Sequence, residues 1–127
     1  MKKTISTEYA PKAVGPYSQA VWANDLLFIS GQIPIDPETG VFVSEDIREQ
    51  TVQVFSNIEA ILKYTGLNFK NIVKMTVYLA DMNDFAVVNE VYATYFQKDF
   101  PARAAFEVAK LPLGAKIEIE SIAIKKI

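Results

Sequence analysis

The apolar residues of this chain change period four times, and that rhythm constrains the fold more than any single motif does. Val21-Trp22-Ala23 and Leu26 to Ser30 read as two strands joined by a tight turn at Asn24-Asp25. Gly31, Pro34 and Pro37 follow, and Glu38-Thr39-Gly40 reads as a second turn. From Ser44 the spacing becomes helical, with Ile47, Val54, Phe55, Ile58, Ile61 and Leu62 recurring on one face. Ser44-Glu45-Asp46 offers an N-cap hydroxyl and two carboxylates suited to a first turn, and Gly66 a left-handed stop. Ile72 to Leu79 alternates again, Val73, Met75, Val77 and Leu79 against Lys74, Thr76 and Tyr78. A second helix opens at Asn83-Asp84, places Phe85, Val88, Tyr92 and Phe96 on one face, and must end before Pro101. Two last strands, about 103–108 and 116–124, flank a turn with Pro112 and Gly114. Runs of strands with two long helices inserted predict a single α+β domain over residues 1–127, its sheet covered by helices on one face. The other face is not all polar, which points to self-association.

Composition narrows the chemistry. The chain has no cysteine and no histidine, so Ser-His-Asp and Cys-His nucleophilic machinery, zinc–cysteine sites and histidine metal sites are excluded. Catalysis falls to carboxylates, arginine, tyrosine, hydroxyls, lysine or the backbone. Arginine occurs twice, at Arg48 and Arg103, and the formal net charge is −2, which argues against nucleic-acid binding. Met1-Lys2-Lys3-Thr4 lacks the apolar run of a secretory signal, and Leu26 to Ile29 is far too short to cross a bilayer. The expectation is a soluble cytoplasmic protein with no membrane partner. No glycine-rich phosphate loop is present, and the acidic residues lack metal-loop spacing, so neither cofactor nor metal is expected.

Candidate site residues cluster in the last two strands. Alternation puts Arg103, Ala105 and Glu107 on one side, and Lys116, Glu118 and Glu120 on one side of the final strand. Paired as a hairpin with their apolar sets matched, these strands would bring Arg103 onto a face with Glu118 and Glu120. That grouping has two readings: a structural ion pair, or a guanidinium fork that binds a small carboxylate beside a glutamate that orients or deprotonates water. Tyr17 and Ser18 lie in a rigid turn, Gly15-Pro16-Tyr17-Ser18-Gln19, where turn chemistry alone accounts for them. Ser30-Gly31 closes a strand, where glycine lets backbone approach a ligand or simply turns the chain. Asn89 faces inward with Phe85 and Tyr92, and a structural bond to a neighbouring strand is its simplest role. The aromatic set Phe85, Tyr92, Tyr95 and Phe96 reads as core.

Several segments together resemble the Rid (reactive intermediate deaminase, YjgF-type) family. They are Ala13 to Ala20 (AVGPYSQA), Ser30 to Pro34 (SGQIP), Asn83 to Asn89 (NDFAVVN), Pro101-Ala102-Arg103, Glu107-Val108, Leu111-Pro112 and Ile117 to Glu120 (IEIE). The resemblance spans nearly the whole chain in the family's order. It implies a chorismate-mutase-like α+β fold assembled as a homotrimer with three interface clefts. It also implies hydrolysis of 2-iminobutanoate and 2-iminopropanoate, released by pyridoxal-phosphate-dependent dehydratases, to keto acids and ammonia. By the same resemblance Arg103 grips the substrate carboxylate and Glu118 stands near the attacking water. Tyr17, Ser30, Gly31 and Asn89 then shape the pocket or bond the ligand, as does the backbone at Ala105. Many relatives carry Ser or Thr and then Cys after the arginine, where this chain has Ala104 and Ala105, so thiol-based regulation is impossible here. A non-catalytic ligand-binding or regulatory trimer, and a ribonuclease or translation inhibitor, are the competing functions.

Overall fold

A computed structural model describes residues 2–126; Met1, where the leader reading began, and Ile127 lie outside the described residues. Six strands, β1 (Lys2–Ile5), β2 (Ala20–Ala23), β3 (Leu26–Gln32), β4 (Ile72–Leu79), β5 (Ala102–Glu107) and β6 (Ile117–Ile124), form one sheet in the order β1-β2-β3-β6-β4-β5. The helices are α1 (Ile47–Tyr64) and α2 (Phe85–Phe96). This is the α+β architecture expected from the alternating periods, with one strand, β1, that the sequence did not announce. Its four residues, KKTI, carry a single buried side chain, Ile5, too little for a recognisable alternation.

The turn at Asn24 is a left-handed one, φ 53°, and it returns β3 along β2 as an antiparallel hairpin. Helix α1 begins three residues later than Ser44. The capping group is the carboxylate of Asp46, which accepts the Glu49 amide at 2.9 Å, while Ser44 Oγ accepts the Asp46 amide one step earlier. A carboxylate at this position satisfies an orphan N–H and also meets the positive end of the helix dipole. At the other end Gly66 has φ 79°, and Leu67 N–H closes back onto Leu62 O at 2.8 Å. The buried stripe of α1, from Val54 to Leu62, joins Val88, Val91 and Tyr92 of α2 and the inward residues of β3, β4 and β6 in one apolar cluster. Phe55 stacks on Tyr95 with ring centres 4.2 Å apart and meets Tyr92 edge-on at 5.8 Å, which fixes the two helices to each other.

The expected hairpin between the last two strands does not form. Strand β5 pairs in parallel with β4, and β6 inserts antiparallel between β3 and β4. The reason is the helix: β4, α2 and β5 form a crossover unit, and a crossover of that length returns the chain parallel to the strand it left.

Buried amide side chains hold the loops above the sheet. Gln19, 5 % exposed, donates to the carbonyls of Thr7, Ala10 and Pro11 and accepts the Thr7 amide at 2.7 Å. Asn57 on α1 donates to Ile33 O and Ile35 O at 3.1 and 3.0 Å. Removing such a group strands several buried carbonyls at once. Gln19→Ala is therefore expected to lower unfolding free energy by about 2–3 kcal/mol, read from urea denaturation, with the 7–11 segment losing amide-exchange protection first.

Candidate active site

Pleat parity across β4 decides where the site residues go. One row of register partners runs Ala20, Ile29, Ser121, Met75, Arg103, and the next inward row runs Ile119, Val77, Ala105. These are the helix-covered face, since Met75, Val77 and Ile119 are fully buried. The intervening rows, Glu120-Thr76-Ala104 and Glu118-Tyr78-Phe106, belong to the opposite face. Arg103 and Glu118, expected to share a face through the hairpin, thus lie on opposite faces of the sheet with β4 between them. The hairpin assumption matched the wrong sets: Phe106 stays exposed in the row of Glu118, while Ala105 and Arg103 take the side of Ile119.

Each face carries its own group of candidate residues. On the open side a cleft of about 640 Å³ brings together Tyr17, Ser30, Gly31, Glu118 and Glu120, with Lys12 and the exposed side chains of Val14 and Leu113 at its margin. Ser30 Oγ donates to Ser18 O at 2.6 Å, so the Tyr17 turn is fastened to β3 beside the bulge that separates Ile29 from Gln32. Gly31 sits in that bulge, and its lack of a side chain has a definite use. A Cβ there would fall 2.8 Å from Glu118 Cδ, so the space belongs to the glutamate carboxylate rather than directly to a ligand. Glu118 is held above the usual carboxylate range, first by burial and then by the negative charge of Glu120. Glu120 accepts a 2.6 Å hydrogen bond from Tyr78 Oη, and that bond, followed by burial and the charges of both glutamates, pushes Tyr78 up to about 12.

The second group lies at the outer edge of the helix side. A hollow of about 490 Å³ is lined by Asn89, Tyr92, Phe100, Pro101 and Arg103. Arg103 Nη1 donates to Asn89 Oδ1 at 2.7 Å, and the guanidinium lies over the rings of Phe85 and Tyr92 at 5.1 and 4.8 Å. The inward asparagine does bond a neighbouring strand, as expected, but through the arginine side chain. Among the described residues Arg103 makes no ion pair; the pairs present are Arg48–Glu90 and Lys63–Glu59. The structural ion-pair reading of Arg103 therefore has no partner here. Ala105 packs against the core two residues along β5. Since Val108 N–H bonds Leu79 O on β4, alternation turns the Ala105 amide toward the free edge of the sheet.

The sequence groups Glu120 with Glu118, but gives Tyr78 no place in this arrangement. The available signal was the polar half of the β4 alternation, Lys74, Thr76 and Tyr78, which matches the polar half of β6. Among the described residues no cluster of three or more carboxylates could hold a metal ion. No helix of the described residues is long and apolar enough to cross a membrane.

Comparison with known proteins agrees with the fold. The Endoribonuclease L-PSP family model matches residues 7–125. A solved structure from Yersinia pestis, described as a protein of the conserved Rid family, superposes with a TM-score of 0.95 at 49 % identity, covering 98 % of this chain and 99 % of that one. The chain belongs to the Rid family. Among its relatives, a RutC family protein of Pyrococcus horikoshii is 58 % identical over 126 residues, covering 99 % of this chain and all of that protein. The human 2-iminobutanoate/2-iminopropanoate deaminase is 52 % identical over 125 residues, covering 98 % of this chain and 91 % of its own length.

In this Rid protein the shared space between Gly31 and Glu118 can be tested directly. Gly31→Ala should push the Glu118 carboxylate into solvent and return its pKa toward the ordinary carboxylate value, and Glu120→Gln should lower it by removing a like charge. Both shifts are toward lower pH and are read from NMR titration of the Glu118 side-chain carboxyl.

Proposed function

We propose that this protein is a deaminase that hydrolyses reactive 2-imino acids, such as 2-iminobutanoate and 2-iminopropanoate, to 2-keto acids and ammonia. The observation that carries the reading is the state of its two polar side chains. Arg103 is a cation with a neutral amide for a partner, free to take a substrate carboxylate, and Glu118 is a half-buried carboxylate whose proton affinity is raised. The identity to deaminases over nearly the full chain supports the same reaction.

Because the two groups stand on opposite faces, the site is composite. One protomer supplies Arg103, Asn89 and the Ala105 backbone, and its neighbour supplies Tyr17, Ser30, Gly31 and Glu118. The open sheet face supports such an assembly, for it carries Phe28 and Phe106, both substantially exposed, beside Val21 and Ile122. A cyclic homotrimer closes this heterologous contact with three equivalent clefts. Arg103 then binds the substrate carboxylate in two hydrogen bonds and fixes the imine carbon near Glu118.

The chemistry suits a chain without histidine. A protonated imine is already a strong electrophile, so water needs orientation and a proton acceptor more than activation. Glu118 takes a proton as the water oxygen bonds to the imine carbon, forming a neutral carbinolamine. It returns that proton to the nitrogen, the C–N bond breaks, and the hydroxyl proton leaves with the ammonia as ammonium. Neither metal nor cofactor is required by this sequence of steps. The substrates arise where pyridoxal-phosphate-dependent dehydratases release their enamine products, and the cytoplasm is the expected place of action. Ribonuclease action, which the name of the family model suggests, fits less well: the chain has no histidine, only two arginines and a formal net charge of −2.

Threonine with a purified dehydratase generates the imine, and semicarbazide traps what is not hydrolysed. Wild-type protein should reduce the trapped imine, and Arg103→Ala or Glu118→Gln alone should not. Mixing these two inactive variants under subunit exchange should restore about a quarter of the sites, because each random interface pairs an intact arginine with an intact glutamate at that frequency. No recovery after verified exchange would place both residues in one protomer's site and sink the composite arrangement. The acid limb of kcat/KM should move to lower pH in Glu120→Gln, since a Glu118 that loses protons more readily stays a base further into acid.

A further inference from the structure

Three turns of α2 converge on a single side chain. Phe85, Asn89 and Tyr92 stand at spacing i, i+4 and i+7, which aligns them along one helical face. Arg103 on the edge strand meets all three, the amide oxygen at 2.7 Å and the ring centres at 5.1 and 4.8 Å. The two rings do not move freely. Tyr92 is 3 % exposed and packs edge-on against Phe55, and Phe85 rests on the apolar cluster.

A guanidinium presents its N–H donors in its plane and weakly hydrated faces above and below. Aromatic rings satisfy a face and leave the donor edge untouched. A carboxylate partner would do the reverse, occupying the edge that a ligand carboxylate needs and cancelling the charge. The helix therefore restrains this arginine by the means that cost it least as an anion receptor: two rings, and a single bond to a neutral oxygen. An unrestrained arginine on an edge strand would lose rotamer entropy when it captured a ligand.

We propose that Phe85 and Tyr92 are positioning residues for this site, holding the Arg103 guanidinium side-on so that its free N–H edge is set for a substrate carboxylate before substrate arrives. The inference rests on the deaminase reading of Arg103 and names what makes that arginine competent. The aromatic character at both positions then serves carboxylate affinity as well as the core, and the Tyr92 hydroxyl, buried and without a hydrogen-bond partner, serves neither.

The test compares Phe85→Leu, Tyr92→Leu and Tyr92→Phe with wild type in two measurements. The first is imine hydrolysis. The second is calorimetric binding of 2-ketobutanoate and of its uncharged amide, 2-oxobutanamide. Each leucine variant should raise KM and weaken 2-ketobutanoate roughly three- to tenfold, the range expected for loss of one cation–π contact. Their kcat values and their affinity for the amide should stay within about twofold of wild type, because the loss falls on carboxylate binding. Tyr92→Phe keeps the ring and should match wild type in all of these. Phe85→Leu decides the matter alone if Tyr92→Leu fails to fold. Unchanged 2-ketobutanoate affinity in Phe85→Leu, or equal weakening of keto acid and amide, would overturn the positioning role. Wild-type turnover and affinity in Arg103→Ala would instead overturn the function on which it rests.

Discussion

Everything at the candidate site depends on β4 lying between β5 and β6. The register of that placement fixes the parity of the sheet, so that Met75, Val77 and Leu79 drop into the core and carry Arg103 and Ala105 to the same side as their register partners. The same parity lifts Tyr78 and Thr76 to the other side with Glu118 and Glu120. Slipping β6 on β4 by one residue would turn both glutamates against α1 and α2, which no hydrophobic core tolerates, and slipping β5 would turn Phe106 inward and Arg103 to the other face. The separation of cation from carboxylate is thus a consequence of core packing.

That separation has a physical advantage. In one protomer, an arginine and a half-buried glutamate within reach would pair, and the pair would have to be broken for substrate to bind. Held on opposite faces, Arg103 remains an unneutralised cation and Glu118 keeps a raised proton affinity set by burial and Glu120. Bringing them together only across a subunit boundary would let the substrate carboxylate, rather than Glu118, complete the arginine.

Most of the architecture was legible as changes of period, because both helices and the three central strands bury long regular stripes. What escaped was pairing. The 103–108 and 116–124 segments are consecutive strands with a turn between them, and nothing local distinguishes a hairpin from two strands separated by a third. The decisive clue was non-local: a strand, a helix and a strand in succession make a parallel crossover, which commits β5 to β4 and leaves β6 to find another edge. Motif resemblance named the residues that line the cleft and the hollow, but not the contacts they make. Gly31 read as a turn or a ligand contact, yet the constraint on it comes from Glu118, 87 positions further along the chain, and no inspection of the SGQIP stretch reveals that. Asn89 read correctly as an inward amide with a strand partner, but inward spacing cannot say that the partner is a side chain.

The absence of histidine gives the acidic cluster its meaning. With imidazole unavailable, the deaminase reading gives the role of proton acceptor to a carboxylate whose affinity for protons is raised. Burial does most of this at Glu118, and the negative charge of Glu120 adds to it. Tyr78 holds the Glu120 carboxylate in place through the 2.6 Å bond, from the strand that lies between β5 and β6. A lysine in that place would neutralise Glu120 and cancel its effect on Glu118, whereas a phenol donates a hydrogen bond and brings no charge. The strand that sets the geometry of the site therefore also sets its electrostatics.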